Sequence, residues 1–198
     1  MEYPKEEIIL KIIATVAADV QSVSDIENVA DKEQGIVFID HARDIATASV
    51  GAGTEYRIEV SEKSSGNDTW RNLYSVVCGI VAASSIVVDG TEAAGSTQIE
   101  TGATLPAAGD IVFFENSTIA NSEWVKVVAI DATGSSEHFD IQDGLTNAQA
   151  GGTYFNKAEQ FAISVDLKSA KRLRVVCNNN NGTTNRAIIW QSKMIASK

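Results

Sequence analysis

The sequence predicts an all-β protein: an antiparallel β-sandwich, jelly-roll-like in form, with a second small β-domain inserted in one loop. Runs in which β-branched and aromatic residues alternate with polar residues dominate the chain, as in "TEYRIEVSE" and "RAIIWQSKMI". Segments rich in Gly, Asn, Ser and Asp, such as "KSSGND" and "NNNNGTTN", separate these runs and are typical of turns. With 198 residues, 44% of them hydrophobic, the chain can bury a substantial core.

The runs outside the middle of the chain are predicted to be the strands of the sandwich: Gly35–Ala42, Thr54–Glu62, Trp70–Val81, Gln160–Leu167, Arg172–Cys177 and Arg186–Ile195. In the second run the apolar side chains share one strand face: Tyr56, Ile58 and Val60. The polar side chains share the opposite face: Glu55, Arg57, Glu59 and Ser61. We therefore expect this strand to place one face against a core and the other in water.

The N-terminal segment "KEEIILKIIATVAADV" fits two periodicities. Several of its apolar residues form a helical stripe, whereas its density of β-branched residues and its lack of a helix stop favour a strand, which we predict. An edge strand of this composition pairs readily with another chain, so one group of residues forms a candidate intersubunit strand: Ile8, Ile9, Leu10, Ile12 and Ile13. The next stretch, "QSVSDIENVADKEQ", is predicted to be a polar connection.

Residues 85–157 differ in texture from the segments on either side. They contain further strand patterns, "SSIVVDG", "GDIVFFEN", "EWVKVVAI" and "HFDIQDG", at the short spacing of a small barrel or sandwich. The predicted domains are therefore a β-sandwich with an N-terminal arm, formed by residues 1–84 and 158–198, and an inserted small β-barrel or sandwich, formed by residues 85–157.

Charge and cysteine usage limit the partners and the compartment. The net charge of −10 and the pI of about 4.6 make nucleic acid and membrane surfaces poor partners. Cys78 and Cys177 lie in apolar runs, and we expect two buried free thiols rather than a disulfide framework. The N-terminus lacks the features of a signal peptide, and no apolar run is long enough for a membrane helix. We expect synthesis in a reducing compartment.

No catalytic motif stands out in the sequence. In "FIDHARD", Asp40 and His41 would face opposite sides of a strand, which argues against a metal pair. His138 and Asp140 would share a strand face, but two ligands do not make a metal site. The 26 acidic residues provide no pairing that can be seen from spacing alone, and no phosphate-binding loop is present. We predict that the protein is not an enzyme and requires no cofactor or metal.

The three tryptophans are the remaining candidates for a binding surface. Trp70 follows a polar loop and Trp124 lies in "NSEWVKV", so each is a candidate interface anchor or sugar-stacking surface, or else a cover for one end of a core. Trp190 lies within an apolar strand pattern, "AIIWQS", and we predict it to be a core residue.

Several segments resemble β-sandwich modules of tailed-bacteriophage virion proteins. The stretch "IEVSEKSSGNDTWRNL" is similar to a strand–turn–Thr–Trp–strand hairpin of those modules, although it lacks their Asp-Gly turn. "GIVFIDHA" resembles the preceding strand, and "AKRLRVVCNNNNGTTNRAIIWQSKMI" resembles the closing hairpin. The insert's "GDIVFFENSTIANSEWVKVVAI" looks like modules of phage structural proteins. Galactose-binding-like (discoidin) modules share much of this texture.

The resemblance implies a virion structural protein, made in the host cytoplasm. It would be a capsid decoration (cement) protein that binds across capsid subunits, or a neck or tail component. Its partners would be the major capsid protein or other virion proteins, and the family analogy implies a homo-oligomer, a trimer or dimer. A carbohydrate-binding β-sandwich module is the alternative, with Trp70 or Trp124 as the stacking surface, and an enzyme that uses unpaired carboxylates is a third hypothesis.

Overall fold

The alternating sequence patterns become strands in the computed structural model, which describes residues 5–17, 20–43, 53–66, 69–78, 86–101, 105–132, 137–180 and 187–197. Its strands are β1 (Lys5–Val16), β2 (Gln21–Val23), β3 (Glu27–Asn28), β4 (Gln34–Arg43), β5 (Glu55–Ser61), β6 (Arg71–Val77), β7 (Ile86–Val87), β8 (Gln98–Thr101), β9 (Ile111–Glu115), β10 (Glu123–Asp131), β11 (Glu137–Ile141), β12 (Tyr154–Asp166), β13 (Arg172–Asn178) and β14 (Ile188–Ser197). The described helical structure is a single 3₁₀ turn, Ile119–Asn121.

The chain divides into two compact units. Unit 1 comprises Met1–His41, Gly51–Ile80 and Gln160–Lys198, and unit 2 comprises Ala42–Val50 and Val81–Glu159. The predicted insert, residues 85–157, lies within unit 2, and its ability to fold as a domain of its own stays a prediction.

Unit 1 is an antiparallel β-sandwich with the strand order of a jelly roll, which confirms the predicted fold class. One sheet has the order β1-β14-β4-β12 and the other has the order β2-β13-β5-β6, with β3 also paired to β13. If β3 is set aside and the other eight strands are numbered along the chain, these orders read 1-8-3-6 and 2-7-4-5. Each sheet thus alternates early and late strands, as two interlocked Greek keys require.

The two sheets of unit 1 bury one face each against the other. Tyr56, Ile58 and Val60 of β5 point into this core, as predicted from their alternation, and so does Trp190 of β14, which has no exposed surface. Strands β1, β4, β12 and β13 supply further core side chains: Leu10, Val16, Val37, Ile39, Ile163, Val165, Leu173, Val175 and Cys177. Both cysteines are buried and free, as predicted.

The N-terminal segment is a strand of this sandwich. β1 pairs antiparallel with β14 of the same chain, from Lys5↔Ser197 to Val16↔Ile188, with register shifts after Ile9 and after Lys11. The prediction that the next stretch is only a polar connection was wrong, because it contains β2 and β3. These strands add to β13 through pairs such as Val23↔Val176, an interaction between segments far apart in sequence that local pattern does not reveal.

Unit 2 contains a small closed barrel. Strands follow the order β12-β9-β10-β11-β8, and β7 pairs with the start of β12. Val88 then forms a bridge with Thr101 of β8, which closes the ring of strands. The barrel encloses a separate core: Val88, Ile99, Val112, Phe114, Val125, Val127, Phe139, Ile141 and Leu145. Closure leaves the barrel strands with no open edge at this seam.

A polar cluster is enclosed in the unit 1 core. His41 and Asp40 face opposite sides of β4, as predicted, because His41 is buried in the sandwich while Asp40 accepts a hydrogen bond from Gln191. The Nδ1 atom of His41 and the hydroxyl of Tyr56 are hydrogen-bonded at 2.9 Å. Burial lowers the pKa of His41 to about 4. Burial also raises the pKa of Cys177, which is hydrogen-bonded to Tyr56, to about 12, so that the thiol stays neutral.

Strand β1 offers a matched test of core burial, because Leu10 is fully buried and Ile12 is 75% exposed. We expect Leu10→Ala to lower the free energy of unfolding by about 2–5 kcal/mol, since it leaves a cavity between the sheets. Ile12→Ala should change it by less than about 0.5 kcal/mol. Urea unfolding followed by Trp fluorescence measures both, and equal losses would contradict the placement of β1.

The buried His41 predicts a loss of stability in acid. Its pKa is about 4 in the fold against 6.5 in the unfolded chain, so the unfolded state binds more protons between these values. Stability is therefore retained above pH 6.5 and falls by about 3 kcal/mol as the pH drops to 4.

The measurement is the urea midpoint as a function of pH for the wild type, for His41→Gln and for the control His138→Gln. The His41 variant should lose much of the slope between pH 6.5 and 4, whatever its stability at neutral pH. A slope that depends on His138 instead would overturn the assignment.

Candidate interaction surfaces

Strand β1 forms the outer edge of its sheet, because it pairs with β14 on one side only. The candidate intersubunit residues divide by the direction of their side chains. Leu10 is buried in the core, Ile8 packs against the core, and Ile13 is half-buried. The side chains of Ile9 and Ile12 are exposed, by 51% and 75%. Their predicted pairing with another chain stays a prediction. It would involve the second edge of β1, since the first is used by β14.

The charged side chains of β1 are tied to the rest of unit 1. Lys32 donates a hydrogen bond to Glu6 at 2.6 Å, and this contact raises the pKa of the Lys32 ammonium. Lys193 is 3.3 Å from Glu7, and Lys11 donates to the carbonyl of Val23. Edge strands are commonly protected from pairing by solvated charges, and here each of these charges has a partner within the chain. Ile9 and Ile12 are exposed apolar groups along this edge, beside the exposed Lys5 and Glu6.

A second surface lies on the outer side of β5 and β13. Because side chains alternate along a strand, Arg57 and Glu59 of β5 point away from the core, as do Arg172 and Arg174 of β13. The strand register places Arg174 opposite Glu59 and Arg172 opposite Ser61. We call Arg57, Glu59, Arg172, Arg174 and the adjoining Trp70 the arginine face.

The arginine face is covered in part by the loop between β5 and β6. Arg172 donates hydrogen bonds to the carbonyls of Lys63 and Gly66, each at 2.8 Å, and Ser61 is hydrogen-bonded to Thr69 at 2.9 Å. The expectation that this side of β5 lies in water was therefore wrong for Glu59 and Ser61, which are 8% and 1% exposed. Ser61 is hydrogen-bonded to the loop and Glu59 contacts Arg57 and Arg174, tertiary effects that strand alternation alone does not predict.

Trp70 ends this loop and lies under two guanidinium groups. The guanidinium carbons of Arg174 and Arg172 are 4.2 and 4.8 Å from the centre of its ring. Such cation–π contacts hold the indole against the sheet and occupy ring surface that a sugar would need. The structure thus brings Trp70 together with the arginines of β13, whose alternation in "RLRVV" is the sequence signal that was available for them.

The other tryptophans lie elsewhere. Trp124 of β10 is half-buried, and its ring packs against Phe113 with centroids 4.4 Å apart. Trp190 is fully buried, as predicted. Trp70 belongs to unit 1 and Trp124 to unit 2.

Arg57 has the weakest contacts of the arginine face. Arg174 donates to Glu59 Oε2 from Nε and Nη2 at 2.8 and 2.6 Å, so this carboxylate is committed to Arg174. The Nε atom of Arg57 is 3.5 Å from Glu59 Oε1, and it is buried without a hydrogen-bond partner among the described residues. Two arginines, Arg57 and Arg174, contact the Glu59 carboxylate, and Arg172 adds a third positive charge to the same face, on an acidic chain.

The edge strand β6 borders the arginine face and exposes apolar side chains. Val77 is 63% exposed, Tyr74 49% and Leu73 37%, and Leu73 lies in a bulge of the β5–β6 register. Val77 lies opposite Glu55 and Ser75 lies opposite Arg57, so both project from the same side of the sheet as the arginines.

The described residues contain no group of three or more His, Cys, Asp or Glu side chains that could hold a metal ion. His138 lies 3.9 Å from Asp131, and His41 is enclosed in the core. The part of the chain that the structure describes also has no helix that could span a membrane.

Comparisons with known proteins find only distant likenesses. No protein-family model matches the chain, and no curated protein matches it either. Among solved structures, the K3 cleaved adhesin domain of Lys-gingipain from Porphyromonas gingivalis w83 is 13% identical with a TM-score of 0.37, over 93% of this chain and 74% of that chain.

Viral capsid proteins are also among these structures. A chain of infectious bursal disease virus, Gt strain, has 10% identity and a TM-score of 0.24, over 98% of this chain and 40% of that one. VP17, a capsid protein of bacteriophage P23-77, has 10% identity and a TM-score of 0.20, over 100% and 97% of the two chains. Such low scores are too distant to assign a function.

The hydrogen bonds of Arg172 predict that it holds the β5–β6 loop in place. Arg172→Gln should remove the charged donors to the Lys63 and Gly66 carbonyls and destabilise unit 1 by about 2–3 kcal/mol. Trypsin cleavage after Lys63 in the native protein, followed by mass spectrometry, should become faster.

Arg71→Gln is the matched control, because the 3.8 Å contact of Arg71 with Glu62 joins two exposed side chains and such ion pairs contribute little to stability. It should leave the cleavage rate at Lys63 unchanged. Equal rates in the wild type and the Arg172 variant would contradict the proposed role.

Proposed function

We propose that this chain is a non-enzymatic structural protein of a virion that acts through protein–protein contacts of its jelly-roll sandwich. Jelly rolls are used widely in viral capsids and in lectins, so the architecture is compatible with the role without requiring it. What supports the role in this chain is the availability of its surfaces for binding other subunits.

The observation that carries the proposal is the open edge of β1. Among the described residues this twelve-residue strand has no strand partner on its second edge, where Ile9 and Ile12 are exposed; the Leu10 carbonyl accepts a hydrogen bond from the backbone N–H of Asp25. The acids that would otherwise repel an approaching strand are bound by Lys32 and Lys193. A subunit that adds a strand here, or packs on the two isoleucines, would cover apolar surface and satisfy backbone groups together.

The finer proposal is a phage capsid decoration, or cement, protein. In this role the chain would bind the major capsid protein across neighbouring subunits as a homo-oligomer, a trimer or dimer, after synthesis in the host cytoplasm. Its surplus of acidic residues would favour contact with a basic capsid surface and keep free copies in solution.

The carbohydrate-binding alternative has less support in the geometry. Sugar stacking needs an open aromatic face. Arg172 and Arg174 lie over the ring of Trp70, and Trp124 packs against Phe113. We therefore propose no second function.

The test is co-sedimentation with heads assembled without this chain. The wild-type chain should band with the heads in a density gradient, and the variant Ile9→Lys/Ile12→Lys should bind at least about tenfold more weakly, because it places two charges at the contact. Circular dichroism establishes that the variant is folded.

Val128→Lys is the matched control, since Val128 is a strand residue that is 48% exposed in unit 2. It should bind as the wild type does. A wild-type chain that stays at the top of the gradient would exclude the decoration role. Undiminished binding by the β1 variant would instead exclude β1 as the contact.

A further inference from the structure

Arg57 lacks the partner that its position calls for. Its side chain is 31% exposed, its Nε atom is buried without a hydrogen bond among the described residues, and its only ion-pair contact is the 3.5 Å approach to Glu59. Buried guanidinium donors are normally satisfied, because leaving them unpaired costs the desolvation energy. Nε lies below the surface, so a carboxylate from outside can meet only the exposed part of the Arg57 side chain.

The surroundings of Arg57 suit a protein interface. Arginine and tryptophan are enriched at interface hot spots, and here Arg57 and Trp70 lie beside β6, whose exposed Val77 projects from the same side of the sheet. The other two arginines are already engaged, one by loop carbonyls and one by Glu59. The face is therefore preformed, and Arg57 is its open position.

A complementary surface exists on unit 2. A cleft of about 510 Å³ is lined by Asp89, Glu92 and Glu100 together with small polar residues. No lysine or arginine is among the described residues that line it, and none of the three carboxylates has a described ion pair. Asp89 and Glu100 are exposed, whereas Glu92 accepts a hydrogen bond from the backbone N–H of Glu100.

We propose that the arginine face of one copy of this chain binds the acidic cleft of a second copy. The second copy would be recognised through the carboxylates of its cleft, which would contact Arg57. Charge complementarity supports this choice, because three arginines face two glutamates, Glu55 and Glu59, on this side of the sheet, and the described lining of the cleft has three acids and no cation. An acidic protein of net charge −10 would otherwise repel its own copies, and this contact reverses the repulsion locally.

Such a contact is heterologous, since different surfaces of the two copies meet. Heterologous contacts close into rings when the rotation allows it and otherwise extend as chains. This inference concerns self-association alone and holds whether or not the protein belongs to a virion.

The experiment uses the full chain and two variants, with mass measured by light scattering at low and high salt. Arg57→Gln alters the face, and Asp89→Asn/Glu100→Gln alters the cleft at two exposed positions. Arg71→Gln is the matched control for removal of an arginine. Thermal melts establish that each variant is folded.

The wild type and the Arg71 variant should form oligomers that dissociate as salt is raised. Each of the two interface variants alone should be a monomer of 21.1 kDa. Their equimolar mixture should give dimers of twice that mass, because one variant keeps an intact cleft and the other an intact face. Those dimers cannot grow further, since each of the remaining surfaces is altered.

A wild type that is monomeric throughout would overturn the proposal. So would oligomers that survive in either variant, or a mixture that contains only monomers. If Arg57→Gln is unfolded, the mass of the cleft variant tests the proposal by itself. Asp89 and Glu100 have no described ion pair, so their substitution should leave the fold intact.

Discussion

The contact between Trp190 and Tyr56 holds the two sheets of the sandwich together. Their ring centroids are 5.4 Å apart, and both side chains are fully buried. Trp190 belongs to β14, whose edge carries β1, and Tyr56 belongs to β5, whose outer side carries Arg57. Both surfaces proposed for binding are therefore positioned by strands that meet in this contact. Interiors packed at this density transmit displacement, so a shift of one sheet would move both surfaces.

The two surfaces of unit 1 have opposite electrostatic arrangements. Along β1, Glu6 and Glu7 form ion pairs with Lys32 and Lys193, and the apolar side chains of Ile9 and Ile12 are exposed beside these pairs. On the arginine face, positive charge exceeds negative charge, and loop carbonyls rather than carboxylates hold Arg172. An edge of the first kind favours strand addition or apolar packing. A face of the second kind favours recognition of carboxylates, and the two together would let one subunit make distinct contacts with distinct neighbours.

Features that depend on local side-chain alternation were predicted from the sequence, whereas features that depend on pairing between distant segments were not. Period-2 alternation predicted β5 with its inward Tyr56, and an apolar run predicted the burial of Trp190, since a strand flanked by turns has few other ways to bury such residues. Strands β2 and β3 were missed because they are two or three residues long and pair with β13, far along the chain. The burial of Glu59 was missed for a related reason, because it depends on contact with Arg174 of β13, far along the chain.

The sequence by itself determined the all-β class, most of the longer strands and which of their faces are apolar. These properties follow from the alternation of side chains along a strand and need no knowledge of neighbours. Only the tertiary structure decided the order of strands in the two sheets, the closure of the barrel and the partners of each charge. Those depend on pairings between distant segments, where hydrogen bonds and ion pairs form according to spatial and not sequence proximity. The convergence of Arg57 and Arg174 on Glu59 is of this second kind.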